Sequence, residues 1–278
     1  VRIAYLGPAG TFTEDALVEA LPPGAEFEPL RTATIREAIL AVERGEAERA
    51  LVPFENSIEG SVRSTLDTLA FDASAVTIIG EHDFPVRAML IAREGIELEQ
   101  IERVISHPQP LAQCARFLRE ELPGVALQSI ESTAAAVKEV SRSSAPLAAI
   151  GAHAAATLYG CTVLREGIED EANNVTRFVW IAPTGTEPAS GESWKTSLVF
   201  SELGEDHPGA LVDALREFSS REVNLTRIES RPLRLELGRY MFFCDLEGAL
   251  GEAAVGEAVE ALREKAESVR ILGSYPTR

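Results

Sequence analysis

The sequence predicts an α/β chain of two units in tandem, and three observations carry that expectation. Up to residue 183, apolar strand-like runs alternate with amphipathic helical segments, the pattern of an α/β domain with largely parallel sheets. From Lys195 onward the order becomes βαββαβ, the ferredoxin-like arrangement. Between the two, "APTGTEPASGESW" (182–194) is dense in Pro, Gly, Ser and Thr and has no hydrophobic period. Residues 184–194 therefore read as a linker between a domain over 1–183 and one over 195–278.

Each element has a local reason. In the first unit "RIAYLG" (2–7), "ERALVPF" (48–54), "VTIIGEH" (76–82), "AMLIA" (88–92), "RVISH" (103–107), "LQSIES" (127–132) and "LAAIG" (147–151) are short aliphatic or β-branched runs that suit strands. "EDALVEAL" (14–21), "RSTLDTLAF" (63–71), "LAQCARFLREEL" (111–122) and "AAAVKEVS" (134–141) carry helical periodicity between them. In the second unit "KTSLVFSEL" (195–203), "NLTRIESRPLR" (224–234), "YMFFCDLEG" (240–248) and "VRILGSY" (269–275) read as strands, and "PGALVDALREFSS" (208–220) and "GEAVEALREKAES" (256–268) as helices. The last helix sets Val255, Val259, Leu262 and Ala266 on one stripe that can cover a sheet face.

Composition excludes several classes. The net charge of −18 argues against nucleic acid and anionic membranes as partners, since both are bound through excess Lys and Arg. Before Lys195 there are 15 basic against 29 acidic residues, so an anionic ligand of the first unit must be held by local donors. Cys114, Cys161 and Cys244 are scattered, without the close pairs of a zinc or redox motif, and read as reduced, mostly buried thiols. Cys114 is expected mid-helix among apolar residues. No run approaches the ~18 apolar residues of a membrane helix, and "VRIAYLGPAGTF" lacks signal-peptide character, so a cytoplasmic location is expected.

Three strand-to-helix junctions share one chemistry: "GPAGTF" (7–12), "ENSIEGSV" (55–62) and "ESTAAA" (131–136). A Ser or Thr there can simply cap the helix. Several helix N-termini around one crevice can also make a site for a carboxylate or phosphate, at the carboxyl ends of the strands. "SHPQPLAQC" (106–114) looks like a further helix start. His107 has no second His near enough for a metal site. In "NNVTRFVWI" (173–181) a strand core of Val179, Trp180 and Ile181 is preceded by donors it does not need, Asn174, Thr176 and Arg177.

Taken in order, "GPAGTFT", "VPFENSIEGSV", "SHPQPLAQC", "STAAA" and "NNVTRF" resemble the successive signatures of prephenate dehydratase, and "HPGALVDAL" and "NLTRIESRP" resemble the GALV and ESRP motifs of its regulatory ACT domain. The resemblance implies a monofunctional enzyme whose catalytic domain is like type II periplasmic binding proteins. Two α/β lobes would flank a cleft, the second running roughly from Phe84 to Gly151 before the chain returns to the first. It implies loss of carbon dioxide and hydroxyl from prephenate without a cofactor or metal, with Thr176 as donor to the departing hydroxyl. Arg177 would grip a carboxylate or fix the strand by pairing with an acid such as Glu55. Thr11, Asn56, Ser57, Ser61, Ser132, Thr133, Asn174 and Phe178 are the remaining substrate-site candidates, Phe178 as a packing group. Phenylalanine is the implied effector, held by His207, Pro208, Gly209, Ala210, Leu211 and Val212, with Asn224 and Leu225 from a neighbouring chain of a homodimer or homotetramer. The alternatives are arogenate dehydratase and a non-catalytic amino-acid-sensing binding protein.

Overall fold

The computed structural model describes residues 1–204 and 208–277. The chain starts with β1 (Arg2–Leu6), α1 (Phe12–Ala20), β2 (Glu28–Thr32), α2 (Ile35–Glu43), β3 (Arg49–Asn56), the short β4 (Gly60–Ser61), α3 (Arg63–Asp67) with a π-helical extension over Thr68–Asp72, and β5 (Val76–Pro85). A second lobe follows: β6 (Met89–Ala92), β7 (Arg103–Ser106), α4 (Pro108–Gln113), α5 (Ala115–Glu121), β8 (Ala126–Ser129), α6 (Thr133–Arg142), β9 (Leu147–Gly151), α7 (His153–Tyr159) and β10 (Thr162–Glu166). The chain returns along β11 (Val175–Pro183) and enters the last unit: β12 (Trp194–Ser201), α8 (Ala210–Ser219), β13 (Leu225–Pro232), β14 (Tyr240–Glu247), α9 (Ala253–Arg263) and β15 (Ser268–Pro276).

Three sheets result, ordered β2-β1-β3-β11-β5 with β4 against β3, β10-β6-β9-β7-β8, and β13-β14-β12-β15. The two-lobed layout and the βαββαβ unit are both present. The first two sheets are mixed rather than largely parallel. β1 runs parallel to β2 and β3, but β11 is antiparallel to both β3 and β5. The reason is the double crossing: the chain leaves the first lobe along β5 and comes back beside it. β10 pairs antiparallel with β6, so the second lobe's sheet extends past Gly151, where the return was expected. Cys114 also differs from expectation. It sits at the break between α4 and α5, at φ −113° and ψ 20°, fully buried in the second lobe's core.

Strand alternation decides what each face meets. On β11, Val179 and Ile181 enter a core that also holds Val199, Met241, Phe243, Leu272 and Tyr275 of the last unit, whereas Phe178 packs on the opposite face with Tyr5, Leu17 and Phe84. The last sheet thus lies directly on the first lobe. A Cβ on Gly273 would stand 2.2 Å from the Ile78 carbonyl oxygen, so only glycine lets β15 approach β5 this closely. Among the described residues no helix is long and apolar enough to cross a membrane.

Candidate active site

A cavity of about 410 Å³ opens between the lobes, within the range of small-molecule sites. Gly7, Pro8 and Thr11 line it from the turn between β1 and α1, and Phe12 and Thr13 from the first turn of α1. Pro53 and Asn56 come from β3, Asn174 from the residue before β11, and Thr176 and Phe178 from the first half of that strand. The second lobe contributes His107, Gln109, Pro110 and Gln113 around α4, and Glu131, Ser132 and Thr133 at the start of α6. A larger cavity of about 820 Å³ lies behind the lobe junction, between α1 and α7. It is lined by apolar side chains such as Val18, Phe27 and Leu158 together with the carboxylates of Glu14, Asp15 and Glu19, a setting less suited to an anion than the cleft.

Three helix N-termini reach the cleft, those of α1, α4 and α6. Ser132 Oγ caps α6 by accepting from Ala135 N at 3.1 Å. Thr11 is the N-cap residue of α1, yet its side chain makes no capping bond, and Glu14 instead fastens that turn. The Glu14 carboxylate accepts from the Tyr5 hydroxyl, from Gly10 N at 2.5 Å and from Arg31 at 3.0 Å. Burial pushes its pKa up, but these donors outweigh it and hold the carboxyl below its ordinary value.

Asn56 is the hub of the first-lobe side. Its Oδ1 accepts from Ile58 N and Glu59 N, both at 2.9 Å, which orients the amide. Its Nδ2 then donates to Asn174 Oδ1 at 2.8 Å and to Thr176 Oγ1 at 2.9 Å. Because Thr176 Oγ1 accepts that bond, its own proton is left to donate elsewhere, and the side chain lines the cleft.

Of the sequence candidates, Thr11, Asn56, Ser132, Thr133, Asn174, Thr176 and Phe178 meet in this cleft. Ser57 does not line it. Its Oγ donates to Asn173 O at 2.7 Å and accepts from Val175 N at 2.9 Å, tying down the start of β11. Ser61 accepts from Arg227 at 2.7 Å, toward the last unit, and α3 likewise starts away from the cleft. Arg177 is also absent from the cleft, for the alternation that turns Thr176 inward turns Arg177 outward. Its guanidinium meets Asp245 at 2.6 Å, Glu55 at 3.0 Å and Glu81 at 3.2 Å, so the pairing with Glu55 is present and the grip on a cleft carboxylate is not. Thr13, His107, Gln109, Gln113 and Glu131 line the cleft without having been singled out for it. The "HPQP" run was the one signal for His107 and Gln109.

In the last unit, Pro208 and Gly209 precede α8, and Ala210, Leu211 and Val212 form its first turn. Gly209 takes φ +101° with nothing within 4 Å of its Cβ position, so backbone conformation rather than crowding calls for glycine. Asn224 and Leu225 lie at the start of β13, beyond the opposite end of α8. A ten-residue helix is about 15 Å long, so the two segments do not share a pocket within one chain. His207 lies outside the described residues.

The profile of the prephenate dehydratase family matches residues 3–186, and that of the ACT domain matches residues 202–264. The chain is 41% identical to a prephenate dehydratase of Mycobacteroides abscessus over 280 residues, covering 99% of this chain and 90% of that protein. A prephenate dehydratase from Arthrobacter aurescens, solved in complex with L-Phe, superposes with a TM-score of 0.89 at 40% identity, covering 99% of this chain and 90% of that one. A structure described as a novel type of quorum-quenching acylase, GqqA, superposes with a TM-score of 0.88 at 31% identity, covering 100% of this chain and 98% of that one. One fold thus carries proteins described by different activities, and the cleft residues have to decide between them. The family profile and the near-complete match to the mycobacterial enzyme agree, and the chain belongs to the prephenate dehydratase family.

Proposed function

We propose that the chain converts prephenate to phenylpyruvate, carbon dioxide and water in the cytoplasm, with Thr176 donating to the departing hydroxyl. The observation that carries this reading is the Asn56 amide, which donates to Thr176 Oγ1 and leaves the Thr176 proton available at the cleft. In the reaction the bond from the ring to its carboxylate breaks and its electrons enter the ring. The carbon–oxygen bond on the opposite ring carbon breaks in turn, and the hydroxyl takes up one proton and leaves as water. Aromatisation drives the step. The protein's part is to place the dianion and to support the oxygen as charge develops on it. A Thr hydroxyl is a weak acid, so its donation works in concert with carbon–oxygen cleavage. The starts of α1 and α6, with Thr11, Ser132 and Thr133, suit the two carboxylates.

Phenylalanine is the effector in this reading, received at Pro208 to Val212 with Asn224 and Leu225 supplied by a second copy, in a homodimer or homotetramer. The separation of those segments within one chain supports a shared site. Purified protein incubated with prephenate and EDTA is expected to form phenylpyruvate, and phenylalanine to slow it. Arogenate, assayed in parallel, is expected to turn over more slowly. Failure to consume prephenate, or a preference for arogenate, would overturn the assignment of substrate.

A further inference from the structure

Thr176 and Arg177 are neighbours on β11 and face opposite ways. What lies behind Thr176 is a cluster of three carboxylates and three cations spanning the first lobe and the last unit. Arg177 meets Asp245, Glu55 and Glu81, Lys195 Nζ reaches Glu81 at 2.8 Å, and Arg227 Nε lies 3.8 Å from Glu55. Asp245 makes the shortest contact to Arg177 and is 1% exposed. It comes from β14, an inner strand of the last sheet. Ser197 Oγ on β12 donates to Asp245 Oδ1 at 2.6 Å and lies 2.7 Å from the Tyr275 hydroxyl on β15, so three strands of that sheet fix the carboxylate. Burial works against the Arg177 charge, but the Asp245 and Glu81 carboxylates outweigh it and hold the guanidinium pKa above its ordinary value.

The strand pair between this cluster and the cleft is irregular at the same place. The β3–β11 register slips between Arg177 and Phe178, leaving Phe54 as an extra residue on β3. Such a bulge re-aims the side chains beside it. The Phe54 ring carries the Arg177 guanidinium at 4.9 Å and the Arg227 guanidinium at 5.0 Å. On both strands the residue next to a cleft donor is therefore anchored in the cluster: Glu55 beside Asn56, and Arg177 beside Thr176.

We propose that Asp245 is a positioning residue for the reaction, acting through Arg177 and the β3 bulge to aim the Thr176 hydroxyl into the cleft. The inference rests on the functional reading above. It makes the last unit a working part of the catalytic strand as well as an effector domain, because a shift of β14 moves the group that holds β11.

The test is a double-mutant cycle on kcat for prephenate, made with Asp245→Asn, Thr176→Ala and the double variant. Asp245→Asn is expected to lower kcat about tenfold or more with KM within about threefold, the pattern of a lost transition-state interaction. In the double variant the loss should not exceed that of Thr176→Ala, since a residue acting through Thr176 has nothing left to aim. Arg231→Gln is the control. It removes another ion pair between the units, Arg231 to Asp67 at 2.7 Å, without touching β11, and should leave kcat within about twofold. An Asp245→Asn enzyme with unchanged kcat, or losses that multiply in the double variant, would overturn the positioning role. If Asp245→Asn does not fold, Ser197→Ala takes its place in the cycle, with a smaller expected loss in kcat and the same two outcomes deciding. A folded wild type that leaves prephenate untouched overturns the functional reading and the positioning role with it. An active wild type with an unaffected Asp245→Asn overturns the positioning role alone.

Discussion

Thr176→Ala removes one hydroxyl whose surroundings allow its ground-state and transition-state roles to be separated. In the resting protein that oxygen accepts a single bond, from Asn56 Nδ2 at 2.9 Å. Asn56 keeps Asn174 Oδ1 and Val175 O as acceptors at 2.8 and 3.3 Å, so the substitution strands no donor. Losing one such hydrogen bond costs about 1 kcal/mol of stability, and that moves the melting temperature by about 2–4 °C in a chain of this size. Losing a donor aimed at a developing oxyanion costs about 100- to 1,000-fold in kcat, roughly 2.7–4 kcal/mol of barrier. The expected result is thus a near-native melting curve with a collapsed kcat and a KM that changes little. Thr176→Ser keeps the hydroxyl but lacks the methyl group that stiffens χ1, so it should recover part of the rate. Steady-state kinetics and a thermal melt on the same samples make the measurement. A Thr176→Ala enzyme within about threefold of wild-type kcat would refute the donor role.

Other expectations follow from the same geometry. Gly273→Ala drives a methyl group into the Ile78 carbonyl, so it should lower stability by about 1–3 kcal/mol or more, read as a reduced melting temperature; an unshifted melt would mean that the contact between β15 and β5 is soft. Glu14 has a depressed pKa, so its contribution to stability is present above the unfolded-state value and lost as pH falls through the folded-state value. Glu14→Gln should therefore be less stable than wild type at pH 7 by about 1.5–3 kcal/mol, with the gap closing in denaturant titrations below about pH 4. A gap independent of pH would show that the Glu14 charge is not what holds the turn. Gly209→Trp places a bulky side chain at a φ of +101° before α8 and is expected to abolish phenylalanine binding in calorimetry while prephenate turnover persists; undiminished binding would move the effector site elsewhere.

Much of the site was legible because helix starts and strand starts announce themselves locally. "GPAGTF" and "ESTAAA" each place a hydroxyl before an apolar-periodic run, and both helices do begin at the cleft. The third junction separated into parts. Asn56 enters the cleft, whereas Ser57 and Ser61 serve the backbone of β11 and the last unit, a division set by the turn at 56–59 and by the pairing of β4 with β3. Arg177 was legible by a rule that the motif reading passed over. On a regular strand Thr176 and Arg177 cannot both face one cleft, and Val179 and Ile181, two and four residues on, already mark the Arg177 side as core. What that core contains was not legible, since it depends on how the last sheet lies against the first lobe. β2 went unread because its apolar positions are few and broken by charges, whereas α2, with Ile35, Ile39 and Val42 on one stripe, and the alanine-rich α7 carried helical patterns that the strand-to-helix motifs did not include.

A dianion in a chain of net charge −18 raises a question of balance that the cleft answers locally. Among the described residues lining it there is no Lys or Arg, and its one acid is Glu131. Behind the cleft ends of β3 and β11, Arg177 and Arg227 are already engaged by Glu55, Glu81 and Asp245. In the proposed reading substrate charge is left to hydroxyls, amides and the N–H groups at the starts of α1 and α6, with Lys138 and Arg142 at an adjoining cavity that shares Pro8, Glu131 and Ser132 with the cleft. Neutral donors of this kind suit a reaction that sheds a carboxylate as carbon dioxide. A fixed guanidinium against that carboxylate would stabilise the substrate more than the transition state, in which the charge is leaving it. By keeping Arg177 behind the strand and Thr176 in front, β11 separates the charge that holds the protein together from the hydroxyl proposed to meet the leaving group.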